Sequence, residues 1–347
     1  MSLQIIIEKL DTACCPEDVF TDITKDYRNL AKICHPDRNN GDPLAEQAFQ
    51  KLNAMKEEAD KRADNKTWGK RLPLAHCVPL EIGAYKVKRS PYIGDIADLY
   101  RVENKTHIVK VARSADDNDL LRAEQRALEL MSTITTPVRD GVPRLHDKFQ
   151  IDGTWKREVN VITQFSGFWT AAEIHSVTHI DDRTMVWMFK RILAVLTWAH
   201  HYKIIHGAIL PPHVMFYPDN DGSNVDPRKH TVRLIDWCYS VDYEKRTRLS
   251  AWVPAWKDYY APELLDKSYV GPESDIYMAA QLMIYLLQKT LFMPELQKVI
   301  LKCLEKDPKK RYRKAGDALK DWTEAAVKAF GPPKWHEFNL PTTPSGR

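Results

Sequence analysis

The chain has 347 residues, 44% of them hydrophobic and 28% charged, with a formal net charge of +4. That composition is ordinary for a globular protein and leaves room for two or three domains. So small a net charge argues against a dedicated nucleic-acid binder, and no stretch approaches the roughly 18–20 apolar residues of a membrane span.

The start of the chain carries the apolar run Ile5-Ile6-Ile7 with no basic residue before it, and Glu8 follows at once. It does not read as a signal peptide. Cys14, Cys15, Cys34, Cys77, Cys238 and Cys303 are scattered without a C-x-x-C pair. Reduced thiols in a cytoplasmic setting are expected, not a disulfide framework.

Pro16-Glu17-Asp18 opens a helix, with proline in a first turn and acids at its positive end. Phe20, Ile23, Tyr27, Leu30 and Ala31 then recur at helical spacing. Lys25, Arg28 and Lys32 form a basic stripe on another face, interrupted by Asp22 and Asp26. A second helix starts near Pro43 and carries Ala45, Ala48, Phe49, Leu52 and Met55 on one stripe. Two such stripes can bury each other as an antiparallel hairpin. The connection from His35 to Asp42 is polar and contains Gly41, so an exposed loop is expected.

Residues 1–63 resemble the J-domain of the J-protein co-chaperones. The resemblance rests on Tyr27, Arg28, Leu30, Ala31, His35, Pro36, Asp37, Arg38 and Phe49, in that order. It implies recruitment of the seventy-kilodalton heat-shock chaperone and stimulation of its ATP hydrolysis. His35, Pro36 and Asp37, with Lys25, Arg28 and Lys32, would form the contact surface. The first helix, Leu3 to Leu10, lacks the tyrosine usual in that family.

Residues 64–85 mix Gly, Pro and charge without periodicity and read as a linker. Short strands are then expected around 85–90, 97–103 and 106–113, a helix over 117–131 and a buried strand over 159–165. The remainder reads as mostly helical, with 185–201 the most prominent helix. Strands first and helices after suggest a small β lobe, 86–165, and a larger α lobe, 166–330. The tail from 331 to 347 is Pro-rich and expected to be extended.

The ordered motifs of residues 86–330 resemble a protein kinase. Tyr92-x-Gly94-x-x-Ala97-x-Leu99 aligns with the glycine-rich phosphate loop and keeps only the middle glycine. Lys110 stands at the strand lysine, Glu124 at its helical partner and Asp236 at the metal-binding aspartate, in Asp236-Trp237-Cys238. Gly94, Lys110, Glu124 and Asp236 are therefore the implied nucleotide site. Glu263, in Ala261-Pro262-Glu263, and Arg311 resemble the buried ion pair of that family, and Asp275 matches a structural position. The whole chain is thus expected to be multidomain: an all-α helical hairpin followed by an α+β bilobal kinase-like fold.

The catalytic loop departs from the pattern. It keeps His206, but Gly207 replaces the arginine, Ala208 the aspartate that accepts the substrate proton, and His213 the asparagine that holds a second metal. Alanine cannot act as a base, a contribution of about 10²–10⁴ in rate. Asp236 and His213 remain the candidate metal ligands, although imidazole favours softer ions than magnesium. His200 and His206 read as structural histidines, and Asp219-Asn220-Asp221-Gly222 as a surface turn and not a calcium loop.

Three functions follow from these readings. One is a co-chaperone whose pseudokinase-like domain scaffolds or selects a client protein, with ATP and magnesium as candidate ligands. A second is a divergent nucleotide or phosphoryl transferase targeted by its J-domain, with His213 or Asp242 recruited. The third is a nucleotide sensor. No nucleic-acid or membrane partner is expected.

Overall fold

A computed structural model describes residues 2–13, 16–64, 80–89, 94–103, 106–133, 137–152, 156–220, 228–245, 248–288 and 293–341. Cys14, Cys15, Cys77, Tyr92, Asp221 and Gly222 lie outside the described residues, as do 65–79 of the expected linker and 342–347 of the tail. Two compact units are present: residues 1–93, 99–103 and 151–156 form one, and the rest of the chain the other.

The first unit begins with four helices, α1 (Leu3–Thr12), α2 (Pro16–Val19), α3 (Ile23–Cys34) and α4 (Pro43–Asp64). The helix expected to run on from Pro16 is broken after Val19. Asp22 causes the restart: its side chain accepts from Lys25 N at 2.9 Å and caps α3. Asp26 accepts from Thr21 N and Asp22 N at 2.8 and 3.0 Å. The two acids that interrupt the basic stripe are therefore caps, and these backbone bonds hold the Asp26 carboxyl below the ordinary range. Ile6, Leu10, Val19, Phe20, Leu30, Cys34, Ala48, Leu52 and Ala59 form the core of the bundle, so α1 packs without the family's tyrosine. Tyr27 reaches across the hairpin and donates to Asn53 Oδ1 at 2.7 Å.

Three strands follow, β1 (Leu80–Ile82), β2 (Tyr85–Arg89) and β3 (Ala97–Val102), the last belonging to this unit from Leu99 onward. They pair antiparallel in register Leu80↔Val87 and Val87↔Val102. Strand pairing thus starts inside the stretch expected to be linker. Residues 82–85 allow it, because Gly83 takes the left-handed conformation that a tight hairpin turn needs.

The second unit holds β4 (His107–Ala112), α5 (Asn118–Ser132), β5 (Leu145–Ile151) and β6 (Arg157–Thr163). β4 and β6 run antiparallel with Lys110 opposite Asn160, and β5 lies beside β6. Then come β7 (Trp169–Thr170), α6 (Ala171–Val177), α7 (Asp182–His201), β8 (Ile204–Ile205), β9 (Val214–Phe216), β10 (Val232–Leu234) and β11 (Val241–Asp242). The chain closes with α8 (Pro262–Leu265), α9 (Pro272–Leu287), α10 (Pro294–Cys303) and α11 (Ala315–Phe330). β10, β9 and β7 make one small sheet, β11 and β8 another.

Helices α7 and α9 supply the centre of this core. Phe189 of α7 packs edge-on against Trp322 of α11, ring centroids 4.9 Å apart, and both are fully buried. After α11, residues 331–341 carry no regular secondary structure. This segment is tied down by Asp219 and Asn220: Phe338 N donates to Asp219 Oδ2 at 2.7 Å and Leu340 N to Asn220 Oδ1 at 2.8 Å. Asp219 and Asn220 therefore anchor the segment around Phe338–Leu340.

Candidate functional site

Helix α3 ends at Cys34, and His35 leaves it in an extended conformation with φ −60° and ψ 130°. Pro36 then starts a 3-10 turn over Pro36–Arg38, because its fixed φ suits a first helical position. Asn39 locks the turn onto α3 by donating to Ile33 O and His35 O at 2.8 and 2.9 Å. Asn40 and Gly41 carry positive φ and bring the chain round to α4.

The His35 ring packs edge-on against Phe49 of α4 at 4.9 Å between centroids. Its Nδ1 accepts from Asp37 N at 3.2 Å. In that tautomer the proton sits on Nε2, which is the ring's free donor. The Asp37 side chain is 88% exposed and that of His35 43%. Lys25, Arg28 and Lys32 are all exposed on α3. The turn thus presents a fixed donor and an exposed carboxylate beside a basic stripe. Asn39 and Phe49 position the imidazole; Asn39 was not singled out in the sequence, because asparagine in a polar loop carries no signal of its own.

The second site assembles in the second unit. Lys110 Nζ lies 3.0 Å from Glu124 Oε1 and 2.7 Å from Asp236 Oδ1, so three of the four implied nucleotide residues meet. Glu124 is held in turn by Asn160, whose amide donates to Glu124 Oε2 at 2.9 Å and to Leu121 O at 3.0 Å. Asn160 also accepts from Gln125 at 2.7 Å. A polar residue inside the apolar run Val159–Ile162 was the available signal for that role. Gly94 sits in a turn where an added Cβ would collide with Ala97 O, which explains why the middle glycine of the loop is the one kept. The next residue, Asp95, accepts from the Tyr239 hydroxyl at 2.7 Å.

Asp236 adopts a left-handed conformation, φ 63° and ψ 63°, leading into the buried Trp237 and Cys238. Burial opposes its ionisation, but the Lys110 ammonium and His213 outweigh burial and hold the carboxyl far below the ordinary range. Lys110 is likewise penalised by burial, yet Asp236, Cys238 and Glu124 keep it firmly protonated. His213 Nε2 stands 3.2 Å from Asp236 Oδ2, and its Nδ1 stands 3.0 Å from Ala208 O. The two expected metal ligands are therefore bonded to each other. This donor set does not suit magnesium, a hard ion that takes oxygen.

The rest of the loop is structural. Gly207 has φ +76°, and a Cβ there would come within 2.5 Å of Tyr239 O, so no larger residue fits where the arginine was expected. Ala208 is fully buried. Asp275 accepts from His206 N at 2.8 Å, Gly207 N at 2.9 Å and His200 Nε2 at 2.9 Å, which bears out the structural reading of the histidines. Asp242 is bonded to Lys245 at 2.8 Å. Glu263 and Arg311 form a bidentate pair at 2.7 and 2.9 Å, both buried. A cavity of about 270 Å³ opens elsewhere, between α7, α11 and the tail, and holds none of these residues. Among the described residues no helix is long and apolar enough to cross a membrane.

The family model for the DnaJ domain matches residues 17–62. No curated protein sequence matches the chain. Among solved structures, the chain is similar to the PknI kinase domain of M. tuberculosis, with a TM-score of 0.51 and 17% identity over 72% of this chain and 98% of that one. At that identity the likeness speaks for fold alone. Residues 17–62 are thus a J-domain, and one chain joins it to a bilobal α+β protein-kinase-like fold.

Proposed function

We propose that this protein is a co-chaperone that recruits a seventy-kilodalton heat-shock chaperone through its J-domain, stimulates that chaperone's ATP hydrolysis, and presents a client bound by its kinase-like domain. The carrying observation is the turn at His35-Pro36-Asp37: an Asp37 carboxylate 88% exposed, and an imidazole whose Nδ1 is used internally and whose Nε2 is free. A rigid polar turn of this kind docks with little ordering cost. The exposed Lys25, Arg28 and Lys32 would steer an acidic partner surface toward it. The kinase-like domain is proposed to act without phosphoryl transfer, since Ala208 offers no proton acceptor and is buried. A cytoplasmic setting is part of this proposal.

The test is single-turnover ATP hydrolysis by the chaperone with and without the full chain. Stimulation by the wild type and return to the unstimulated rate with His35→Gln is the expected result. Stimulation that survives this change, or is absent in the wild type, ends the co-chaperone reading. The alternative, a divergent transferase, draws on the assembled Lys110, Glu124 and Asp236. Label transferred from ATP to any protein, and abolished by Asp236→Ala, would establish it in place of the non-catalytic reading.

A further inference from the structure

We infer that His213 takes the place of a divalent metal at Asp236, so that the kinase-like site fills its own metal position and takes no magnesium. The inference concerns the proposed non-catalytic domain and does not depend on the chaperone reading.

The donor atoms a metal would need are already occupied. Asp236 has two carboxylate oxygens, and each already faces a donor: Lys110 Nζ at 2.7 Å on Oδ1 and His213 Nε2 at 3.2 Å on Oδ2. The other nitrogen of His213 faces a carbonyl, Ala208 O, at 3.0 Å. Both ring nitrogens of His213 are therefore engaged, one toward the Asp236 carboxylate and one toward a backbone carbonyl. Its side chain is only 10% exposed and lies nearly parallel to the Tyr239 ring, 16° between planes, which fixes its orientation.

A second potential metal cluster is closed in the same way. Glu124, Asp236 and Cys238 converge closely enough to share an ion. Lys110 Nζ occupies that point, bonded to Glu124 Oε1 at 3.0 Å, Asp236 Oδ1 at 2.7 Å and Cys238 Sγ at 3.1 Å. Lys110 and His213 thus face two carboxylates, Glu124 and Asp236. No net positive charge is left to meet a triphosphate, and Asp95 in the glycine turn adds a further negative group. The ligand class such a site can accept is one of low charge, a nucleoside and not a metal-bound triphosphate.

The test uses the full chain and Mn²⁺ as the probe, with free ion counted by electron paramagnetic resonance during titration. The wild type is expected to leave Mn²⁺ free up to millimolar concentration, while His213→Asn, which offers an amide oxygen and releases Asp236 Oδ2, gains one site. His213→Gln is the second variant if the first does not fold. A wild-type site for Mn²⁺ that Asp236→Asn removes would overturn the inference. So would the absence of a site in both folded His213 variants, because something other than His213 would then exclude the ion. Thermal melting with adenosine and with ATP, each with and without magnesium, supplies the ligand arm. A shift produced by magnesium and ATP together, and by neither alone, also overturns it. The co-chaperone reading stands or falls separately, on chaperone stimulation.

Discussion

His206 shows how much of the loop from Ile205 to His213 is scaffold. It is fully buried, its Nε2 donates to Ile235 O at 3.0 Å, and its Nδ1 accepts from Ala208 N at 3.3 Å. That pattern needs a neutral ring, and burial pushes its pKa down to about 4 from 6.5. A depressed histidine contributes stability that is complete above the unfolded value and is lost as pH falls toward the folded one. The kinase-like unit should therefore lose about 3 kcal/mol between pH 6.5 and 4 on this account. Urea denaturation across that range checks it, and His206→Gln should flatten the slope by about one proton. Asp236 shifts the other way relative to charge: its lowered carboxyl adds stability above the ordinary carboxylate range, lost only at more acid pH.

The hairpin of α3 and α4 turns a tripeptide into a surface. Leu30 and Leu52 are buried between the helices, and Tyr27 clamps them by its bond to Asn53. Leu52 is fully buried, so Leu52→Ala removes a side chain and leaves a cavity. A loss of about 2–5 kcal/mol is expected, read by denaturation of the full chain. Under the proposed co-chaperone function, stimulation of the chaperone should fall at elevated temperature and recover on cooling, because the His35 turn itself is untouched. A change that left stability intact would mean the hairpin is not held by this core. Much of this element was legible in the sequence, since a 3.6-residue stripe on each helix needs no long-range information. The break at Phe20-Thr21-Asp22 was not, because Asp22 is equally acceptable on a helix surface and as a cap, and only the restart of the chain distinguishes them.

At the scale of the whole molecule, one arginine joins several parts of the larger unit. Arg311 bonds both oxygens of Glu263 in α8 and also reaches Glu273 O, Glu305 O and Lys306 O. Both members of the pair are buried, so removing one leaves a charge without its partner. Arg311→Ala should cost about 3–5 kcal/mol, measured by chemical denaturation. A loss under about 1 kcal/mol would place the pair among exposed salt bridges of small effect.

Local pattern and ordered motifs were enough to read the J-domain hairpin and the pairing of Lys110 with Glu124. These depend on residue type and spacing, which the chain states directly. The pairing of β1 with β2, the anchoring of Glu124 by Asn160 and the capture of the tail by Asp219 and Asn220 needed the folded chain. So did the bond between His213 and Asp236, residues 23 positions apart whose side chains meet only when β9 and β10 pair. Sequence alone names two candidate metal ligands there; tertiary structure makes them partners, because an imidazole brought to a carboxylate oxygen occupies the lone pair a metal would need.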